Sequence, residues 1–177
     1  LAVAAHEDGV PFYDISNPSY PEHIYTLNTV NAWAVQMEPF EHINYEFVIY
    51  VADQTSIYTL AYMYYNDHND FAPIDNIFLN DGISTYKDIA FGDGLVYFAK
   101  GTDGVDVYQT SGEMEYLGYT FNCQMHVPCY LDTYDTSVLA NRLSAFDNKV
   151  AVSDWDDVEI LEWDGSELAL VGYKNTT

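Results

Sequence analysis

Basic residues are nearly absent from this chain. Five Lys and Arg stand against 28 Asp and Glu in 177 residues, a formal net charge of −23. A surface with so few cations repels nucleic acid and anionic membranes, which excludes polyanion binding as a general function. Long apolar runs are absent too. No stretch of about 18 apolar residues is present, so the sequence predicts no transmembrane helix and no membrane insertion. The opening Leu1–Asp8 has no basic n-region and is not a signal peptide. It reads as the middle of a strand, as in a chain processed at its start or taken from within a longer one. Helical periodicity is missing as well.

What remains is apolar, aromatic and short-ranged. The chain is 49% hydrophobic, with 17 Tyr, so it has the material for a core. Tyr suits strands, because its ring packs while its hydroxyl stays wet. Short β-rich runs alternate with turn residues, and the runs repeat. Leu1–Asp14, Val48–Leu60, Leu95–Tyr108 and Val150–Glu162 each read as strand, short turn of Asp, Gly or Thr, and strand. Their starts lie roughly 45 to 55 residues apart, the size of one propeller blade. A further strand precedes each of the last three hairpins: Ala32–Gln36, Lys87–Phe91 and Arg142–Phe146. An outer strand follows each hairpin: His23–Leu27, Asn76–Leu79, Met114–Gly118 and Leu168–Gly172.

A four-stranded sheet cannot bury both faces alone, whereas sheets stacked radially can. The expected fold is therefore all-β. It is a β-propeller of four-stranded antiparallel blades spanning residues 1–177, with blades near 1–28, 29–82, 83–122 and 138–174 and an insert loop at 120–139. The first blade lacks an inner strand before Leu1. The expectation is thus part of a larger ring, or one that a protein partner or self-assembly through the open blade edge completes.

The run Val10–Pro21, with Asp14-Ile15-Ser16-Asn17-Pro18 at its centre, resembles the LVIVD-repeat family of propellers. There a D-[IV]-S-[ND]-P-x-x-P turn joins the third and fourth strands of a unit. The later units keep the strand pattern without that turn. The resemblance implies a propeller of the kind found on secreted and surface proteins, and no fixed activity.

Cys123 and Cys129 lie six positions apart, and a close pair in a loop reads as a disulfide. The alternatives are a Cys-x-x-His-x-x-Cys metal site including His126, or free thiols. A disulfide places the protein outside the cytoplasm, secreted or on a cell surface. Asn66–Asp70, with Asp75 nearby, clusters hard oxygens, so Asp67, Asn69, Asp70 and Asp75 are candidate Ca²⁺ ligands; a polar loop tip is the other reading. Asp154, Asp156 and Asp157 flank Trp155 at a hairpin turn, matching Asp103 and Asp8 in other units, where turn chemistry is the simpler explanation. Trp33, Lys87 and Arg142, on or beside the inner strands, are candidate ligand contacts, and the alternative is packing and local ion pairing. Asn175-Thr176-Thr177 is a glycosylation sequon. No nucleophile elbow, phosphate loop or metalloprotease spacing is present. The expected function is a non-catalytic extracellular module, structural or binding. A metal-dependent propeller hydrolase or lyase and a glycan-binding, lectin-like propeller are the alternatives.

Overall fold

The computed structural model describes residues 1–42, 45–65, 68–75, 85–136 and 138–175. Within them the chain is all β, antiparallel throughout and without helices. Four units follow one another. In unit 1 the extended segment Leu1–Ala5 lies against β1 (Val10–Asp14), which pairs with β2 (Glu22–Leu27). Unit 2 is β3 (Ala32–His42), β4 (Tyr45–Asp53), β5 (Ser56–Tyr65) and β6 (His68–Asp75) in order. Unit 3 is β7 (Asp88–Gly92), β8 (Leu95–Ala99) and β9 (Val105–Gln109). Its fourth strand is β12 (Cys129–Tyr134), and the hairpin of β10 (Gly112–Tyr116) and β11 (Tyr119–Cys123) is inserted between β9 and β12. Unit 4 is β13 (Ala140–Phe146), β14 (Lys149–Asp154), β15 (Asp157–Trp163) and β16 (Leu168–Asn175).

Two outer strands differ from the sequence reading. Met114–Gly118 pairs with β11, and β12 takes the outer place in unit 3. Both segments alternate apolar and polar residues, so periodicity alone cannot choose between them. The insert is therefore the β10–β11 hairpin rather than a loop at 120–139. In unit 2 the outer strand is β6, while Asn76–Leu79 lies outside the described residues.

Strand alternation sends side chains to both faces of each sheet, and the core forms between consecutive units. Val10 and Phe12 of unit 1 pack on Ile49, Val51 and Leu60 of unit 2. The opposite face of unit 2, with Val48, Tyr50 and Ala52, packs on Val96, Phe98 and Tyr108 of unit 3. Phe98 meets Tyr50 and Tyr108 at ring separations of 5.9 and 5.4 Å. The opposite face of unit 3, with Leu95, Tyr97, Ala99, Val105 and Val107, packs on Val150, Val152, Leu161 and Leu168 of unit 4. Residue by residue, neighbours on β8 therefore belong to different cores. The first strands come together, with β7 packed between β3 and β13.

The hairpin turns alternate between two designs. Ala5–Gly9 in unit 1 and Lys100–Gly104 in unit 3 form the same turn. The amides of Ala5 and Lys100 donate to the carbonyls of Gly9 and Gly104, and both glycines sit at φ +80°. A Cβ at Gly104 would lie 2.0 Å from the Tyr134 carbonyl oxygen, so a side chain is excluded there. From these turns His6 bridges to Ala32 and Gly101 to Ala140, stitching each odd unit to the first strand of the next. Units 2 and 4 use a two-residue turn headed by a buried aspartate. Asp53 accepts the amides of Val30 and Asn31, and Asp154 accepts those of Val138 and Leu139. The repeating element is thus a pair of units, present twice.

Candidate functional site

Convergence of the first strands gathers polar side chains that lie far apart in sequence. Trp33 is on β3, Lys87 immediately precedes β7, and Arg142 is on β13. Lys87 is anchored by its own amide, which donates to the Ala99 carbonyl at 2.8 Å. Its Nζ lies 3.6 Å from the centroid of the Trp33 ring, a cation–π contact between units 2 and 3. The His6 ring meets Trp33 edge-on at 5.0 Å, and His6 Nδ1 lies 3.1 Å from Asn31 Oδ1. Burial lowers the pKa of the Lys87 ammonium. Among the described residues Lys87 makes no ion pair, and the shielded Trp33 Nε1 has no hydrogen-bond acceptor.

Of the three residues expected to contact ligand, the structure brings Trp33 and Lys87 together and sets Arg142 apart. Arg142 points mostly into solvent and lies 3.8 Å from Asp88 of β7. Asp88 also accepts the Leu143 amide at 2.9 Å, so the pair fastens β7 to β13. His6 and Asp88 were not legible as site residues. Asp88 could have been found as the acid next to Lys87 on an inner strand. His6 carries no local signal, because its place depends on pairing with β3.

A second polar group sits at the turn of unit 4. Asp154, Asp157 and Glu159 each offer an oxygen within 4.8 Å of the others, a spacing that suits one cation. Burial, then the charges of Asp154 and Asp156, raises the Asp157 carboxyl. The fold accounts for Asp154 without a metal, since its carboxylate holds two backbone amides as Asp53 does in unit 2. Asp156 is exposed in the turn, and Asp8 and Asp103 lie in the turns of units 1 and 3. The candidate calcium ligands are spread along unit 2. Asp67 lies outside the described residues, and Asn69, Asp70 and Asp75 fall on β6, with about 16 Å of extended chain between Asp70 and Asp75.

Cys123 and Cys129 form a disulfide, with Cα atoms 5.2 Å apart. It closes the turn between β11 and β12, and that turn docks on unit 2. The buried Tyr50 hydroxyl donates to the Met125 carbonyl, and Met125 packs against the core between units 2 and 3. Closing so short a loop contributes about 2 kcal/mol. A cleft of about 770 Å³ opens at the end of unit 1, lined by Phe12, Tyr13, Met37 and Phe47, with Asp14 and Glu22 at its rim. Asn175 is exposed at the end of β16, and the rest of its sequon lies outside the described residues. No helix among the described residues is long and apolar enough to cross a membrane.

No family model matches the chain, and no curated protein does. Among solved structures it is similar to the crystal structure of the computationally designed Ika8 protein, at 10% identity and a TM-score of 0.54. The match covers 94% of this chain and 44% of that one, so the chain spans less than half the length of the design.

Proposed function

We propose that the chain is a non-catalytic, extracellular binding module of β-propeller type, with its ligand site where the first strands meet. Three observations support the propeller reading. The sheets are antiparallel and sequential, they stack face to face, and their first strands adjoin one another. The disulfide fits an oxidising compartment, which supports the extracellular placement. The observation that carries the binding function is Lys87 Nζ held 3.6 Å over the Trp33 ring, with His6 at the ring edge. Among the described residues Lys87 has no carboxylate partner, although the chain carries a net charge of −23. Together with a ring and an imidazole it suits a ligand that bears a carboxylate or a stacking face.

Arrays of acidic peptides and of neutral and anionic glycans, probed with the native chain, test this reading. A hit that Trp33→Ala and Lys87→Ala both weaken about tenfold or more supports it. A hit that survives both substitutions overturns the site. Turnover of an arrayed ligand overturns the non-catalytic reading, and a hit confined to neutral glycans moves the lectin-like alternative to the front.

A further inference from the structure

We propose that the open edge of β10 receives an extended segment of a partner protein in which basic and apolar residues alternate. This surface lies on the inserted hairpin of unit 3 and uses neither Trp33 nor Lys87, so it stands or falls apart from the site proposed above.

The β10–β11 hairpin leaves the four-stranded sheet of unit 3 and forms a two-stranded sheet of its own. Its register divides the side chains between two faces. One face carries Met114, Tyr116, Tyr119 and Phe121, and the other carries Glu113, Glu115, Thr120 and Asn122. Tyr116, Tyr119 and Phe121 are 61%, 71% and 46% exposed. At the tip the Leu117 side chain is exposed as well, on a backbone at φ +52° that Asn or Gly adopts more easily. Apolar side chains exposed together on so short a hairpin mark an interaction surface rather than a core.

Two strands also leave an edge open. The turn Leu117-Gly118 has two residues, both at positive φ, so Tyr116 and Tyr119 form a hydrogen-bonded pair. Alternation then directs the backbone amides and carbonyls of Glu113 and Glu115 away from β11. Among the described residues no strand pairs with that side of β10. The base of the hairpin is fixed, because Cys123 ends β11 and its disulfide to Cys129 ties it to β12. A shallow groove of about 250 Å³ lies between Met114 and Phe121 on the hairpin and Val127 and Pro128 at the disulfide turn, with room for an apolar side chain of the partner.

Charge identifies the occupant. A strand added beside β10 sets its side chains next to those of β10, face by face. Its apolar residues extend the face of Met114 and Tyr116, and the alternate residues meet Glu113 and Glu115. Basic residues at those places form cross-strand pairs with the two carboxylates. A second copy of β10 cannot, because it would set Glu against Glu across the edge. Residues 101–141 contain no Lys or Arg, so no cation of the hairpin or its base competes for the two acids.

Fluorescence anisotropy on the native chain, with labelled synthetic peptides of about eight residues, tests the proposal. One peptide alternates Lys with Val, a second has Glu in place of Lys, and a third has the composition of the first with its Lys grouped at one end. The first is expected to bind about tenfold or more tighter than the third, and the second is expected not to bind. Glu113→Lys with Glu115→Lys, both at exposed positions, is expected to invert the preference between the Lys and Glu peptides while circular dichroism is unchanged. Tyr116→Ser is expected to weaken binding of the alternating Lys peptide, whereas Trp33→Ala leaves it unchanged. Equal binding of the alternating and grouped peptides would reduce the attraction to net charge and overturn the proposal. It is equally overturned by no binding at millimolar peptide, by a preference that survives the paired charge reversal, or by binding that depends on Trp33.

Discussion

Units 2 and 4 share a turn, a buried aspartate and a strand order, yet they differ on one face. In unit 2 the face toward the next unit carries Val48, Tyr50 and Ala52, and unit 3 covers it. In unit 4 the same positions carry Lys149, Ala151 and Ser153, which are exposed or half-buried among the described residues. The faces toward the preceding unit stay alike, with Ile49 and Val51 in one and Val150 and Val152 in the other. Backbone design is therefore common to both units, and side-chain size follows what lies against each face. Burial of a large ring has a use only where a neighbour closes over it.

The largest effect that separates the two units comes from exchanging their matched side chains. Tyr50→Ala empties a fully buried site and is expected to cost about 3–5 kcal/mol. Ala151→Tyr adds the same ring to the open face and is expected to change stability by less than about 0.5 kcal/mol. Urea denaturation of both variants checks this. Equal costs would mean that the unit 4 face is covered as the unit 2 face is.

The aspartates come next. Asp53→Ala and Asp154→Ala each strip the acceptor from two amides, at an expected cost of about 2 kcal/mol. Asp154 has Asp157 and Glu159 beside it, and its removal relieves repulsion. Its substitution should therefore cost less than that of Asp53. The reverse order in thermal unfolding would show that the acidic group stabilises the fold, as it would around a bound cation.

A smaller contrast separates two buried tyrosines. Burial raises the pKa of both hydroxyls, so both stay protonated. Tyr50 donates to the Met125 carbonyl, whereas the Tyr97 hydroxyl has no partner among the described residues. Tyr50→Phe is expected to destabilise by about 1 kcal/mol and Tyr97→Phe to stabilise by a similar amount. Denaturation midpoints of the opposite sign would contradict the packing between units 3 and 4.

The smallest effect is in the response to acid. Asp14 is held below the usual carboxylate range by the Ser16 amide, Glu162 by its hydrogen bond from Lys149, and Asp164 by the Glu167 amide. Each stabilises the fold above its unfolded value, and that stabilisation is lost as pH falls through the depressed folded value. Asp157 has the opposite sign. Its ionised form is disfavoured in the fold, so falling pH relieves it first, as it passes the raised value. Carboxyl NMR titration should therefore find Asp157 protonating before Asp14 and Asp164, and the reverse order would contradict the unit 4 geometry.

Much of this arrangement was legible in the sequence, because strand alternation and turn residues are local. The four hairpins, the inner strands and the cysteine pair follow from spacing alone. The alternation of turns was written in Asp8-Gly9-Val10 and Asp103-Gly104-Val105, but its meaning needs the bridges from His6 and Gly101 into the next unit. The outer strand of unit 3 was misplaced because β10 and β12 have equal claim by pattern, and pairing with β9 decides between them. The contact of Lys87 with Trp33 spans two units, and no local pattern encodes it. Asp88 and Arg142 join neighbouring first strands in the same non-local way.

Hydrogen exchange tests the contrast between covered and open faces most directly. The account predicts slow exchange in β8 and β9, which are covered on both faces. It also predicts faster exchange in β14 and β15. Exchange in β14 and β15 as slow as in β8 would contradict it.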